Sequence, residues 1–242
     1  MASEVNELVQ KARAEVHRKA EEAKRTEAVK RPPEEGRYVY CIIPWEEGLN
    51  GLSFGDLGIE GSGEVYAIPC GDMAAVVSNA PFKEYMLTED NICAHIQAVT
   101  LVMDKYPVLP MAFGMAFKNE EVLEEVLGKV RGDLKKALKE IEGKVELGVK
   151  VILPEGAEFD EDAFASEIKV FRELATKSKL GKRFSKRLIL NVSYLVAKDK
   201  VEAFLGAAKA LEDKFERLRI QCTGPWPPFN FVTTKVGDDK GG

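Results

Sequence analysis

VELGVKV, residues 145–151, decides how the second half of this chain folds. Val145, Leu147, Val149 and Val151 alternate with Glu146, Gly148 and Lys150. A period of two places the apolar set on one face of a half-buried strand. Downstream the period changes. Phe164, Ile168, Phe171 and Leu174 follow an acidic cap region, Asp160 to Asp162, at helical spacing. Leu188, Leu190, Val192, Tyr194 and Val196 alternate again. Val201, Phe204, Leu205, Ala208, Leu211, Phe215 and Leu218 then give a second helix, and Ile220 and Cys222 point one way from a last strand. A β-α-β-α-β order with one-sided strands predicts two helices over one face of a sheet, a ferredoxin-like plan or a near variant. A fourth strand would come from Phe229 to Thr234 or be absent.

Upstream of Val145 the pattern is less regular. RYVYCIIP, residues 37–44, reads as a buried strand bounded by proline. The glycine-rich stretch 46–63 reads as an irregular surface segment. EVYAIPC (64–70) and DMAAVVS (72–78) are strands joined at Gly71 in a tight hairpin. Thr88 caps a helix whose apolar stripe is Ile92, Ile96, Val99, Met103 and Tyr106. PVLPMAFGMAF, residues 107–117, is extended, with Met111, Phe113, Met115 and Phe117 assigned to the core. Asn119 caps a longer helix with the stripe Val122, Val126, Val130, Leu134, Leu138 and Ile141, ended by Gly143. Gly128 and Gly132 share a face of it, where the close approach of another backbone would explain them. Residues 1–31 read as a charged, alanine-rich helix with little to bury, broken by RPPEEGR at 31–37. The expected plan is α+β with two domains: a charged helical extension and linker (1–36), an N-terminal α+β domain (37–118), a connecting helix (119–143), and a modified ferredoxin-like C-terminal domain with a short tail (144–242).

Composition narrows the function. The chain has 242 residues, 45% hydrophobic and 31% charged, with a net charge of -5. The overall field therefore invites neither nucleic acid nor an anionic membrane. No apolar run approaches the roughly 20 residues that span a bilayer, and no signal peptide precedes the first charges, so a cytoplasmic protein is expected. Cys41, Cys70, Cys93 and Cys222 lie far apart with no CxxC, which reads as reduced, mostly buried thiols and no metal or redox motif. No nucleotide-binding glycine motif occurs. Of the two histidines, His17 lies in the charged helix and His95 borders an apolar stripe. An enzyme using His95 with a cysteine or carboxylate of the N-terminal domain is the alternative reading. Cys93 cannot serve, because residues two apart on a helix diverge.

The distinctive block is GPWPPFNF, residues 224–231: three prolines, one tryptophan, two phenylalanines and no charge. Pro225, Pro227 and Pro228 remove donors and fix the backbone, so the block cannot be a central strand. Trp226, Phe229 and Phe231 offer large apolar areas. They form a lid on the second domain's core, a preorganised contact surface for another protein, or both, in which case Trp226 points inward and Phe229 or Phe231 partly outward.

In order, RYVYCIIP, AHIQAV (94–99), PVLPMAFGMAF, VELGVKV and TGPWPPFNFV (223–232) resemble the GvpL/GvpF family of gas vesicle proteins over residues 37 to about 236. The resemblance implies two α+β domains, no catalytic activity, no cofactor and no metal. It implies an accessory role in building gas-filled protein shells, at the vesicle and in the cytoplasm, with a very hydrophobic shell protein and other accessory proteins as partners. Leu147 replaces the aromatic residue usual in the strand motif, and the helix at 1–31 is longer than the family pattern needs.

Overall fold

The structure is a computed structural model and describes residues 35–46 and 51–232. The expected N-terminal helix, His17 and the C-terminal tail lie outside the described residues. Strands β1 (Glu35–Pro44), β2 (Ser53–Gly55), β3 (Val65–Cys70), β4 (Met73–Pro81), β5 (Leu109–Pro110) and β6 (Ala116–Phe117) form the first sheet. Its order is β2-β3-β4-β1-β5, with β6 also on β1. Helix α1 (Glu89–Met103) covers one face and α2 (Glu120–Ile141) the other. Tyr38, Tyr40, Ile43, Ala74, Val76 and Ala80 pack toward α1, while Val39, Ile42, Ala75 and Val77 pack toward α2. Burial on both faces is why β1 and β4 read as continuous apolar runs rather than alternating ones. The β3–β4 hairpin turns at Gly71 and Asp72, with Gly71 at φ 74°. Asp72 then ties the hairpin to α2 through Arg131 and Lys135.

The expected caps form. The Thr88, Asn119 and Asp160 side chains accept from the backbone N–H groups of Asn91, Val122 and Ala163. The helix faces match the expected ones only in part: Val99 and Met103 of α1 and Leu134, Leu138 and Ile141 of α2 are buried as expected, but the first turns are rotated. α1 buries Asn91, His95, Ala98, Val99, Val102 and Met103, leaving Ile92 and Ile96 half-covered. α2 buries Leu123 and Leu127, and Val122 is exposed. Both Gly128 and Gly132 face open space, so no backbone approach explains them. Within the 46–63 stretch, expected to be irregular, the described residues hold β2 and a 3-10 turn at Ile59–Gly61, and they send Phe54 and Ile59 into the core. Of the cysteines only Cys41 is buried, and Cys93 is exposed. In PVLPMAFGMAF, Met111, Met115 and Phe117 enter the α2-side core, whereas Phe113 joins the α1 side.

The second sheet contains β7 (Lys144–Ile152), β8 (Ala175–Leu180), β9 (Leu188–Ala197) and β10 (Arg219–Trp226), antiparallel in the order β10-β7-β9-β8. Helices α3 (Glu161–Glu167), α4 (Lys169–Leu174) and α5 (Val201–Lys214) cover one face. Leu147, Val149, Val151, Val192, Tyr194 and Val196 meet Phe164, Phe171, Phe204 and Leu211 there, as the alternation of VELGVKV requires. The fourth strand is β8; of the expected Phe229 to Thr234, Phe229–Phe231 is a single 3-10 turn and the last two residues lie outside the described residues. β8 pairs only with β9, and its side chains beyond Ala175 are exposed, so it carries no alternation to read.

Candidate interaction surface

The uncharged block begins where β10 ends. Thr223 pairs with Gly148, the ladder slips, and Trp226 pairs with Glu146. The slip centres on Gly224 at φ 108°, where a Cβ would sit 2.6 Å from the Glu146 carbonyl oxygen. Only glycine fits that position without strain. The Gly224–Pro225 peptide is cis. β10 is an edge strand, which is where proline is tolerated. Past Trp226 the chain turns inward: Pro227 and Pro228 are buried, and the Phe229 and Phe231 N–H groups donate to the Pro227 and Pro228 carbonyls at 2.7 and 3.0 Å.

This turn seats on the first sheet rather than on the second sheet's helical core, which corrects the expected lid. Phe229 packs in the α1-side core, its ring 5.9 Å from that of His95. Phe231 enters the α2-side core beside Leu195. One ring therefore reaches each layer. Between them, Asn230 is held by a clamp that sequence reading missed. Its N–H donates to Glu146 Oε2 at 2.9 Å and its Nδ2 to Glu146 Oε1 at 2.6 Å. Nδ2 also reaches Ser193 Oγ at 3.2 Å, and the Asn230 carbonyl accepts from Lys179 Nζ at 3.0 Å. Glu146 is buried on the helix-free face of β7. Its sequence signal was being the one acidic residue of β7.

Trp226 points the opposite way from that expected, whereas Phe229 is partly outward as expected. Trp226 is 44% exposed with Pro225 exposed beside it, Phe231 is buried and Phe229 half-buried. The structure therefore divides the six residues into an outward pair, Pro225 and Trp226, and an inward set, Pro227, Pro228, Phe229 and Phe231.

His95 is buried beneath this turn. Tyr38 Oη lies 2.9 Å from Nδ1, and the Met111 carbonyl lies 3.2 Å from Nε2, so both ring nitrogens are engaged by protein. Tyr40, Phe113 and Phe229 wall the ring. Desolvation lowers its pKa to about 4, so the ring is neutral. Burial pushes the Cys41 thiol far above its usual range and Cys70 up to about 11. The neutral imidazole, with both nitrogens occupied, has no free lone pair to offer a substrate, and the Cys41 and Cys70 thiols are held protonated. Among the described residues no group of His, Cys, Asp and Glu is placed to hold a metal, and no helix is long and apolar enough to cross a membrane.

Comparison with known proteins accords with this arrangement. The family described as gas vesicle synthesis protein GvpL/GvpF matches residues 36–168 and 158–233. Gas vesicle protein F of Haloferax mediterranei is 36% identical over 208 residues, covering 84% of this chain and 96% of that protein. Gas vesicle protein F1 of Halobacterium salinarum is 35% identical over 210 residues, covering 85% and 97%. Two crystal structures share the fold. GvpF from Anabaena sp. PCC7120 has a TM-score of 0.70 at 20% identity, over 83% of this chain and 99% of that one. GvpF from Microcystis aeruginosa has 0.68 at 19%, over 83% and 100%.

Proposed function

The chain belongs to the GvpL/GvpF family of gas vesicle synthesis proteins, with a non-catalytic accessory role in gas vesicle formation, and from that premise we propose that it binds the apolar shell protein and other accessory proteins through a surface centred on Trp226. The observation that carries this reading is a large aromatic side chain left outside on a segment fixed from within. Trp226 is exposed, while the five residues after it are anchored by Phe229, the Glu146–Asn230 clamp and Phe231. A side chain held in place before binding loses little entropy on contact, and tryptophan supplies much area per residue. A shell subunit too apolar to remain dispersed in water is the kind of partner such a surface suits. We read the work as taking place in the cytoplasm and at the growing vesicle.

The unit boundaries follow the same reading: a connecting helix at 119–143 between an N-terminal α+β unit at 37–118 and a ferredoxin-like unit at 144–242. The β10-β7-β9-β8 order, with helices on one face, supports the ferredoxin-like assignment. The test is co-expression with the shell subunit and other gas vesicle accessory proteins, followed by capture through a tag on this chain. Trp226→Ala is expected to fold as the native chain does and to lose the captured partner. A folded Trp226→Ala protein that captures its partners fully overturns the assignment of the surface. Capture of no gas vesicle protein by the native chain overturns the binding role itself.

A further inference from the structure

The missed strand leads into the most one-sided stretch of the molecule. ATKSKLGKRFSKR, residues 175–187, carries Lys177, Lys179, Lys182, Arg183, Lys186 and Arg187 and no acidic residue. The chain's net charge is -5, so everything outside this stretch sums to -11. Two of the six cations are neutralised locally, Lys177 by Glu140 and Arg187 by Glu155. Among the described residues the other four have no carboxylate within ion-pairing distance. Within this basic field stand the two most exposed large apolar side chains of the described residues, Phe184 at 86% and Leu180 at 76%.

The backbone here is ordered and open on one side. β8 is an outer strand of its sheet, and among the described residues no further segment pairs with its free side. Alternate N–H and C=O groups of such a strand point outward, unpaired. The following loop is tied back to β9: Gly181 N–H donates to the Asn191 carbonyl at 2.8 Å, Asn191 Nδ2 to the Lys182 carbonyl at 2.8 Å, and Arg183 Nη1 to the Ile189 carbonyl at 3.3 Å. Beyond Phe184 the Leu153 N–H donates to the Arg187 carbonyl at 2.7 Å, so Phe184 is displayed from a loop tied on both sides. Lysines alone on an edge strand serve to prevent unwanted pairing. That role accounts for Lys177 and Lys179. It does not account for an exposed phenylalanine and leucine, which work against it.

We propose that the β8 edge is a second docking site, which takes an extended acidic segment of another protein by strand addition. The partner's backbone bonds to β8, its carboxylates meet Lys179, Lys182, Arg183 and Lys186, and an apolar side chain covers Leu180 and Phe184. Charge complementarity selects this occupant: outside this stretch the chain sums to -11, so an acidic segment is favoured at this concentrated positive field.

The probe is a fluorescent peptide alternating glutamate with valine, titrated by anisotropy against the full chain. It is compared with a copy N-methylated at alternate residues, which keeps its charge and loses backbone donors. The expected result is saturable binding that weakens at least ten-fold for the N-methylated peptide and for the variant Lys182→Glu with Lys186→Glu, and several-fold for Phe184→Ala. All these sites are exposed, and an unchanged Tm verifies folding. Equal binding of the methylated peptide overturns strand addition. Equal binding by the charge-reversed variant overturns the site. Tighter binding of an oligonucleotide or of vesicles containing phosphatidylserine overturns the choice of partner. Concentration-dependent self-association abolished by the same variants makes the occupant a second copy and overturns it likewise. These outcomes are independent of Trp226, so failure here leaves the proposed function standing.

Discussion

Removing the Glu146 carboxylate tests whether the turn after Trp226 is locked or merely adjacent. Glu146 accepts two hydrogen bonds from Asn230, at 2.9 and 2.6 Å, on a face where its side chain is buried. Bonds to an ionised acceptor contribute about 1.5–3 kcal/mol each. Glu146→Leu removes both and keeps the bulk. Burying leucine and relieving the desolvated carboxylate offset part of the loss, and Asn230 is exposed enough to rehydrate once freed. The net cost is therefore about 2–4 kcal/mol. Glu146→Gln should cost only about 1 kcal/mol: the Asn230 amide can turn to present its oxygen, and only charge assistance is lost. Urea unfolding followed by circular dichroism gives both values. A double-mutant cycle with Asn230→Ala isolates the side-chain bond from Nδ2 to Oε1, with an expected coupling of about 1.5–3 kcal/mol. Coupling below about 0.5 kcal/mol would refute the clamp, and the ring packing of Phe229 and Phe231 alone would then have to hold the turn.

The two faces of the block should separate by substitution: Phe231→Ala empties a core site and should cost about 3–5 kcal/mol in the same unfolding experiment, whereas Trp226→Ala should stay within about 1 kcal/mol. Gly224→Ala places a Cβ against the Glu146 carbonyl at a positive φ and should cost about 1–3 kcal/mol, read as a lowered Tm. His95 makes stability depend on acidity. Its folded pKa, about 4, lies below the unfolded value of 6.5, so the unfolded chain takes up the proton first. The contribution is complete above pH 6.5 and falls away toward pH 4, by about 3 kcal/mol in all. Denaturant titrations across that range should show this decline, and His95→Phe should flatten it.

What could be read in advance depended on whether a residue's neighbours lie near it in sequence. VELGVKV and the Leu188–Val196 strand were legible because one face of each is covered and the other is not. The caps were legible because Thr88, Asn119 and Asp160 act within three residues. The first half of the α2 face was misplaced because two apolar lines run side by side at the same spacing, one of valines from Val122 and one beginning Leu123, Leu127; Leu134, Leu138 and Ile141 are buried as expected. Only the sheet beneath decides that the leucines go in. β8 was invisible since an edge strand with no covered face has no period to show. The direction of Trp226 was equally hidden. Prolines erase the alternation that would assign a side, and the Glu146–Asn230 contact that sets it spans 84 residues.

The two proposed contact regions lie on opposite rims of one sheet. Trp226 ends β10 and Leu180 ends β8, with β7 and β9 between them. Strands sit about 4.8 Å apart, so the rims are separated by roughly 14 Å and face away from each other. A single small partner would have to wrap the sheet to touch both. Their chemistry differs as well: one rim presents an aromatic surface with no charge of its own, the other a concentrated positive field around two apolar side chains. The arrangement fits an adaptor that holds two different components at once, the more apolar one at Trp226 and an acidic one at β8. It follows that the two partners bind without competition. Saturating the β8 edge with the acidic peptide should leave capture of the shell subunit unchanged, whereas competition between them would place both ligands on one rim and dissolve the adaptor reading.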